Sequence, residues 1–108
     1  MGLEISAQHI AREQLAVSSS AKNVDNDGSG TILTQTNKAL IDYIDIDVQD
    51  DDVYVTFDGS TTPSASAGEK WYKGQKYRLY GIENILNVQF IRVTGDAVLE
   101  VTYWWGQL

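Results

Sequence analysis

Hydrophobic and polar positions alternate along most of the chain after position 40. In the clearest stretch, Ile44, Ile46 and Val48 are separated by Asp45 and Asp47. The same alternation recurs in residues 53–57, 76–80, 88–93 and 97–103. A two-residue repeat that is rich in β-branched and aromatic side chains is typical of half-buried strands. We therefore predict a β-strand in each of these segments.

Residues that favour turns separate the predicted strands. Asp58-Gly59 ends one strand, and a loop of small residues that contains the sole proline, Pro63, follows over residues 60–68. Gly74 and Gly95 mark two further turns, and we expect the second to close a tight hairpin because glycine accepts a positive φ. Short strands at this spacing indicate a sandwich or a barrel. The predicted fold is all-β: a single small antiparallel β-sandwich that is jelly-roll-like.

The beginning of the chain has a less regular pattern. Residues 5–15 are compatible with a short amphipathic helix or with an extended arm, since Ala, Gln, Glu and Arg favour helix. Residues 15–19 fit a strand better, and residues 31–36 fit another strand that follows a loop. We favour an extended N-terminal arm over residues 1–14 and a sandwich domain over residues 15–108.

Size and charge narrow the class of protein. The 108 residues suit one domain. No stretch approaches the roughly 20 apolar residues of a membrane-spanning helix, and a net charge of −7 opposes a nucleic-acid backbone. We therefore predict neither a membrane nor a nucleic acid as partner. The basic side chains concentrate at Lys70, Lys73, Lys76 and Arg78, which form either a solvated face or a patch that docks on an acidic partner.

One loop copies part of a calcium-binding sequence. Asp25, Asp27 and Ser29 occupy the first, third and fifth ligand positions of an EF-hand loop, and Gly30 occupies its turn position. The twelfth position holds Thr36, where a bidentate Glu is required, and no flanking helices are predicted. The alternative is a polar turn between strands. Calcium at this loop is the one cofactor that the sequence suggests.

Catalytic chemistry has little basis in the sequence. The acidic run from Asp42 to Asp52 has the spacing of a solvated strand face and a turn, and such charges also protect a strand edge from unwanted pairing. His9 is the only histidine and there is no cysteine, so neither a zinc site nor a cysteine nucleophile is available. We predict that the protein is not an enzyme.

Aromatic side chains are the best candidates for binding. Trp71, Tyr72, Trp104 and Trp105 form two clusters, and adjacent residues of a strand cannot both face the core. Such rings either anchor a protein interface, provide a platform for sugars, or close one end of the sandwich as an aromatic lid. We predict that these four residues contact a partner, together with the apolar side chains of the N-terminal arm, Ile5 and Ile10.

The back half of the chain resembles a group of small proteins encoded among bacteriophage structural genes. The resemblance rests on the order of its segments, which covers about half of the chain. A strand with an aspartate-glycine turn comes first, then a Thr/Ser/Pro/Ala loop, a glycine-marked turn into a strand, the string Ile-Glu-Asn-Ile, and two final strands. These segments are residues 53–59, 60–68, 73–79, 82–85, 90–92 and 97–103.

The resemblance implies an accessory component of the virion, most simply a capsid decoration or cement protein. Such a protein would be made in the bacterial host cytoplasm, bind the major capsid protein on the outer surface of the head, and assemble as a homo-oligomer, with a trimer favoured. Two alternatives stay open: a carbohydrate-binding module on a tail or fibre, and a head-to-tail connector or neck protein.

Overall fold

Strands dominate the structure, a computed structural model that describes residues 8–24 and 41–105. Within these ranges the elements are β1 (Gln8–Val17), β2 (Tyr43–Gln49), β3 (Val53–Thr56), β4 (Glu69–Trp71), β5 (Lys76–Tyr80), α1 (Ile82–Asn87), β6 (Gln89–Arg92) and β7 (Ala97–Trp105). One sheet has the strand order β1-β7-β2-β5 and the other has the order β4-β3-β6, and all pairings are antiparallel. The predicted all-β class and two-sheet architecture are confirmed.

The strand pairs are nested within one another along the chain. The first strand, β1, pairs with the last, β7; next, Lys22 forms a bridge to Phe90 of β6. Further in, β2 pairs with β5, and β3 pairs with β4. This is a long antiparallel hairpin folded over into two sheets, as in a jelly roll. The arrangement brings both ends of the described chain to one sheet.

The core lies between the two sheets and follows the alternation of the sequence. Every second residue of β2 and β7 is buried, whereas the residues between them face outward. Each fully buried aliphatic or aromatic side chain contributes about 1.5–3 kcal/mol of transfer free energy. The inward side chains of the two sheets include Ile44, Ile46, Val48, Leu99, Val101 and Tyr103 on one side and Val53, Val55 and Phe90 on the other.

The first strand is longer than the sequence predicts. Residues 8–14, assigned above to an arm, form most of β1 and pair along β7, with an irregularity between His9 and Ala11. Glu13 is buried beside Leu15, and the hydroxyl of Tyr103 donates a hydrogen bond to its carboxylate. A carboxylate can occupy an inward position of a strand when a buried donor forms a hydrogen bond to it. A search for alternating apolar residues does not recognise such a position, so the predicted strand was too short. Residues 1–7 and the predicted strand over residues 31–36 lie outside the described residues.

The connection after β6 is not a hairpin. Residues 94–96 cross from one sheet to the other, because β6 pairs with β3 whereas β7 pairs with β1 and β2. The alternation on both sides of Gly95 was correctly predicted, but alternation does not identify the neighbour of a strand. The turn at Gly74 is confirmed, with φ at +87°.

Two carboxylates of the acidic run hold loops together. The Asp51 carboxylate accepts hydrogen bonds from the backbone N–H of Asp52 and of Gly95, both at 2.8 Å. The Asp52 carboxylate accepts the N–H of Lys73 at 2.8 Å and lies 3.8 Å from the ammonium of Lys70. The β2–β3 turn is thereby tied both to the β6–β7 connection and to the turn before β5.

Acid should weaken the hydrogen bonds that the Asp51 carboxylate accepts. The N–H of Asp52 and then that of Gly95 hold the pKa of the Asp51 carboxyl below its ordinary value of 3.8. A group with a lowered folded-state pKa stabilises the fold above its unfolded pKa, and this contribution is lost as the pH falls through the folded value. We therefore expect Asp51→Asn to lower the melting temperature at neutral pH, and the gap from wild type to shrink below pH 3.8. Melting curves followed by circular dichroism test this, and a gap that is constant with pH would contradict it.

Candidate binding surface

Trp71 belongs to the core and is not an exposed anchor. Its side chain is 4% exposed, and its ring stacks on that of Tyr77 with a centroid distance of 4.1 Å and an interplanar angle of 7°. Phe57 and Phe90 contact its other sides. The indole N–H donates to Glu69 at 2.8 Å, which satisfies its polar atom. The prediction that Trp71 contacts a partner is therefore wrong.

The other predicted contact residues have different environments. Tyr72 is exposed, whereas Trp104 and Trp105 are both half-buried at the end of β7. Ile10 lies within β1, and its side chain is outside the described set, as is the whole of Ile5. The candidate calcium ligands Asp25, Asp27 and Ser29 also lie outside the described residues.

A free strand edge forms the first candidate surface. Within the described residues, β5 pairs only with β2 and is the edge strand of the four-stranded sheet. Tyr72 and Tyr80 stand near its two ends with 52% and 55% of their surfaces exposed. Lys73 and Lys76 lie between them, are exposed, and form no ion pair closer than 4 Å in that part of the chain. We call Tyr72, Lys73, Lys76 and Tyr80 the β5 margin.

Half of the basic concentration seen in the sequence is neutralised. Arg78 donates to both carboxylate oxygens of Asp45, at 2.7 and 3.0 Å, and this partner raises the pKa of the guanidinium above its ordinary value. Lys70 lies beside Asp52. Of these four basic side chains, Lys73 and Lys76 are the two that form no close ion pair within the described residues. In a chain with a net charge of −7, this makes the β5 margin locally positive.

The outward face of the four-stranded sheet forms the second candidate surface. Tyr80, Tyr43 and Trp104 lie side by side on β5, β2 and β7 and form an aromatic row. Their neighbouring ring centroids are 5.4 and 6.2 Å apart, and the rings of Tyr43 and Trp104 are nearly parallel, at 19°. The Cζ atom of Arg78 lies 4.4 Å from the centre of the Tyr43 ring. Tyr43 is consequently only 7% exposed, although it points away from the core.

Several charged side chains lie beside the aromatic row on this outer face. Arg12 donates to Glu100 at 3.2 Å, and Gln14 also donates to the Glu100 carboxylate. Asp47 lies directly opposite Glu100 in the register of β2 and β7. Arg12, Asp47 and Glu100 border a depression of about 340 Å³ beside the aromatic row. Its lining includes Arg12, Asp45, Asp47, Lys76, Glu100 and Trp104.

The sequence predicted the outward direction of these side chains but not their grouping. Tyr43, Asp45 and Asp47 alternate with buried residues, and so do Lys76 and Tyr80. The period of two therefore places each of them on a polar face. It does not show that β2 lies between β5 and β7, and this neighbour relation builds both the aromatic row and the depression. Tyr43 and Tyr80 were missed for this reason.

Neither surface contains a cluster of metal-binding side chains among the described residues. Among residues 8–24 and 41–105, no three His, Asp or Glu side chains gather closely enough to hold a metal ion. The same ranges contain no helix with the length and hydropathy of a membrane span. Comparisons with protein-family models, with curated proteins and with solved structures find no match.

Proposed function

We propose that this chain is a bacteriophage structural protein, most simply a capsid decoration protein that binds the major capsid protein on the outside of the head. The β5 margin is the observation that carries the proposal. It combines two exposed tyrosines with two lysines that form no close ion pair, beside a strand edge that has no partner among the described residues, in a protein that is otherwise acidic. The β-sandwich expected from the resemblance to phage structural proteins also supports it.

The β5 margin has the properties of a docking surface for an acidic partner. Exposed tyrosines contribute large contact areas at low entropic cost, and they are enriched among residues that dominate binding energy. Lys73 and Lys76 would orient the protein on a carboxylate-rich patch, because complementary charge favours the correct encounter. The same patch would repel the acidic remainder of the chain, so the protein would dock through the β5 margin.

Assembly would multiply a weak contact. A decoration protein that touches two neighbouring capsid subunits, or that binds as a trimer, makes each further contact within an existing complex. A modest surface can then hold many copies on the head. The expected location is the virion, after synthesis in the bacterial host cytoplasm.

The copy number in purified particles tests the proposal. Quantitative mass spectrometry of particles from the source phage should find the chain in numbers comparable with the major capsid protein, and electron microscopy should locate it on the outer lattice. A few copies at a single vertex would instead favour the head-to-tail connector alternative. Particles that lack the chain altogether would refute a structural role.

Removing one anchor should weaken attachment to the head. We expect Tyr72→Ala to reduce affinity for particles assembled without this chain by about 30-fold, because a dominant interface residue contributes about 2 kcal/mol. Co-sedimentation over a range of protein concentrations measures the change. Tyr54→Ala is the matched control, since Tyr54 is a half-buried tyrosine on the outward face of the other sheet. Equal loss in both variants would contradict docking through the β5 margin.

A further inference from the structure

We propose that the outer face of the four-stranded sheet, beside Trp104, is a binding site for a neutral oligosaccharide. This site goes beyond the capsid role: Trp104, Arg12, Asp47 and Glu100 lie outside the β5 margin, and only Lys76 and Tyr80 are common to the two surfaces. Four features support this proposal: the depression, its aromatic wall, its balance of charge, and the carboxylate of Asp47, which has no hydrogen bond or ion pair within the described residues.

The depression has the size of a small-ligand site. Its volume of about 340 Å³ lies at the lower end of the range of about 300–1,000 Å³ that is usual for ligand pockets. It lies along the sheet and is bordered by side chains from β1, β2, β5 and β7. This depression, called the trough below, is open to solvent and can hold sugar rings lying on the strands, whereas a compact apolar ligand would stay largely exposed to water.

Trp104 provides a stacking surface at one end of the trough. Its half-buried ring is held nearly parallel to Tyr43 at a centroid distance of 6.2 Å. The guanidinium of Arg78 covers Tyr43, and Asp45 fixes that guanidinium with two hydrogen bonds. Because its neighbours already hold this aromatic ring in place, it can stack on the apolar face of a sugar ring with little further loss of side-chain entropy.

The charges around the trough cancel. The lining residues Arg12 and Lys76, together with Arg78, which is bound to Asp45 outside the lining, supply three positive charges. Asp45, Asp47 and Glu100 supply three negative charges, so the sum is zero. A balanced site gives no attraction to an anionic polymer, which needs a basic surface. The density of charge also disfavours the apolar centre of a protein interface, where charged residues are depleted. Hydroxyl groups both donate and accept, so a neutral sugar can use both kinds of side chain.

Asp47 indicates where sugar hydroxyls would bind. Its carboxylate is half-exposed and opposes that of Glu100 across β2 and β7, which is unfavourable for like charges. Lys76 lies opposite it on β5, but the two form no ion pair closer than 4 Å within the described residues. Arg12 and Gln14 donate to Glu100, whereas Asp47 forms no hydrogen bond or ion pair through its side chain in the described part of the chain. Hydroxyl donors placed between the two carboxylates would relieve this repulsion.

Affinity electrophoresis of the full chain tests the proposal. The probes are native gels that contain soluble β-glucan, galactomannan or dextran, followed by a printed array of neutral oligosaccharides. We expect at least one of these glycans to retard the wild-type chain, and Trp104→Ala and Asp47→Asn each to weaken binding about tenfold. Tyr54→Ala, on the other sheet, serves as the control and should bind as the wild type does.

The conservative substitution keeps the test decisive. Trp104→Ala removes part of the packing around Tyr43, so a loss of binding in that variant counts only where its circular-dichroism spectrum and melting temperature match those of the wild type. Asp47→Asn changes one oxygen to an amide on a half-exposed side chain, and it must weaken binding in any case. No retention by any neutral glycan, or full retention by Asp47→Asn, overturns the proposal.

Discussion

Replacing Trp71 by alanine is expected to lower the free energy of unfolding by about 3–5 kcal/mol, the range for large aromatic residues truncated in a core. The ring fills the space between Tyr77, Phe57 and Phe90, with centroid distances of 4.1, 6.1 and 5.8 Å. It also joins the edge strands of the two sheets, because Trp71 lies on β4 and Tyr77 lies on β5. Alanine would leave a cavity at that junction. Urea denaturation followed by circular dichroism measures the change.

The neighbouring aromatic residue provides the control for this experiment. Tyr72 is 52% exposed, and beyond the Lys70 ammonium at 5.4 Å from its ring it has little packing to lose. Tyr72→Ala should therefore alter the free energy of unfolding by about 0.5 kcal/mol at most, as exposed substitutions usually do. Equal stability of the two variants would mean that Trp71 does not close the core. Such a result would restore its sequence-based role as an interface anchor.

Trp71 shows what alternation can and cannot predict. The repeat of two residues located the strands and selected the buried face of β2 and β7, because one side of each strand must be covered by the opposite sheet. In Trp71-Tyr72, one ring had to face inward and the other outward. The sequence alone did not say which, because β4 is only three residues long and its polar neighbours set no clear phase.

The alternation of hydrophobic and polar residues does not predict which strands are neighbours in a sheet. The alternation around Gly95 is equally compatible with a hairpin and with a crossing between sheets, and the structure has the crossing. The short helix α1 was missed because six residues with one buried side chain, Ile85, show no helical period. The face built by Tyr43, Tyr80 and Trp104 depends on these same neighbour relations. Its outward residues were predictable, but their assembly into one surface was not.

The two candidate surfaces obtain their chemistry from the same strand. The outward side chains of β5 alternate between Lys76, Arg78 and Tyr80, and their opposite residues on β2 are Asp47, Asp45 and Tyr43. Arg78 forms a bidentate pair with Asp45, so its charge is neutralised within the sheet, and its guanidinium packs over the Tyr43 ring. Where no close pair forms, as at Lys76, the charge is available to a partner. Within the five residues of β5, register thus separates an arginine that is paired in the sheet from a lysine that we propose as a binding residue.

A substitution in the loop that leads into β4 should cause the second large loss of stability. Gly68→Ala should lower the free energy of unfolding by about 3 kcal/mol, since a non-glycine residue in a disfavoured backbone region costs about 1–3 kcal/mol before any steric contact. Gly68 has φ at +103°, and a Cβ atom there would lie 2.2 Å from the carbonyl oxygen of Val55 and 2.8 Å from a methyl group of Thr56. The obstacle is backbone of the central strand β3, which cannot move without disturbing its pairing with β4 and β6. Urea denaturation measures the loss.

Gly74→Ala separates the two causes of that loss. Gly74 also has a positive φ, +87°, but a Cβ atom there would meet nothing within 4 Å. Its substitution should therefore cost only the backbone conformation, about 1–2 kcal/mol. The excess cost of Gly68→Ala then measures how tightly the loop is pressed against β3. If the two variants unfold at the same urea concentration, the loop can move away from β3 at no cost, and the close approach does not fix the position of β4.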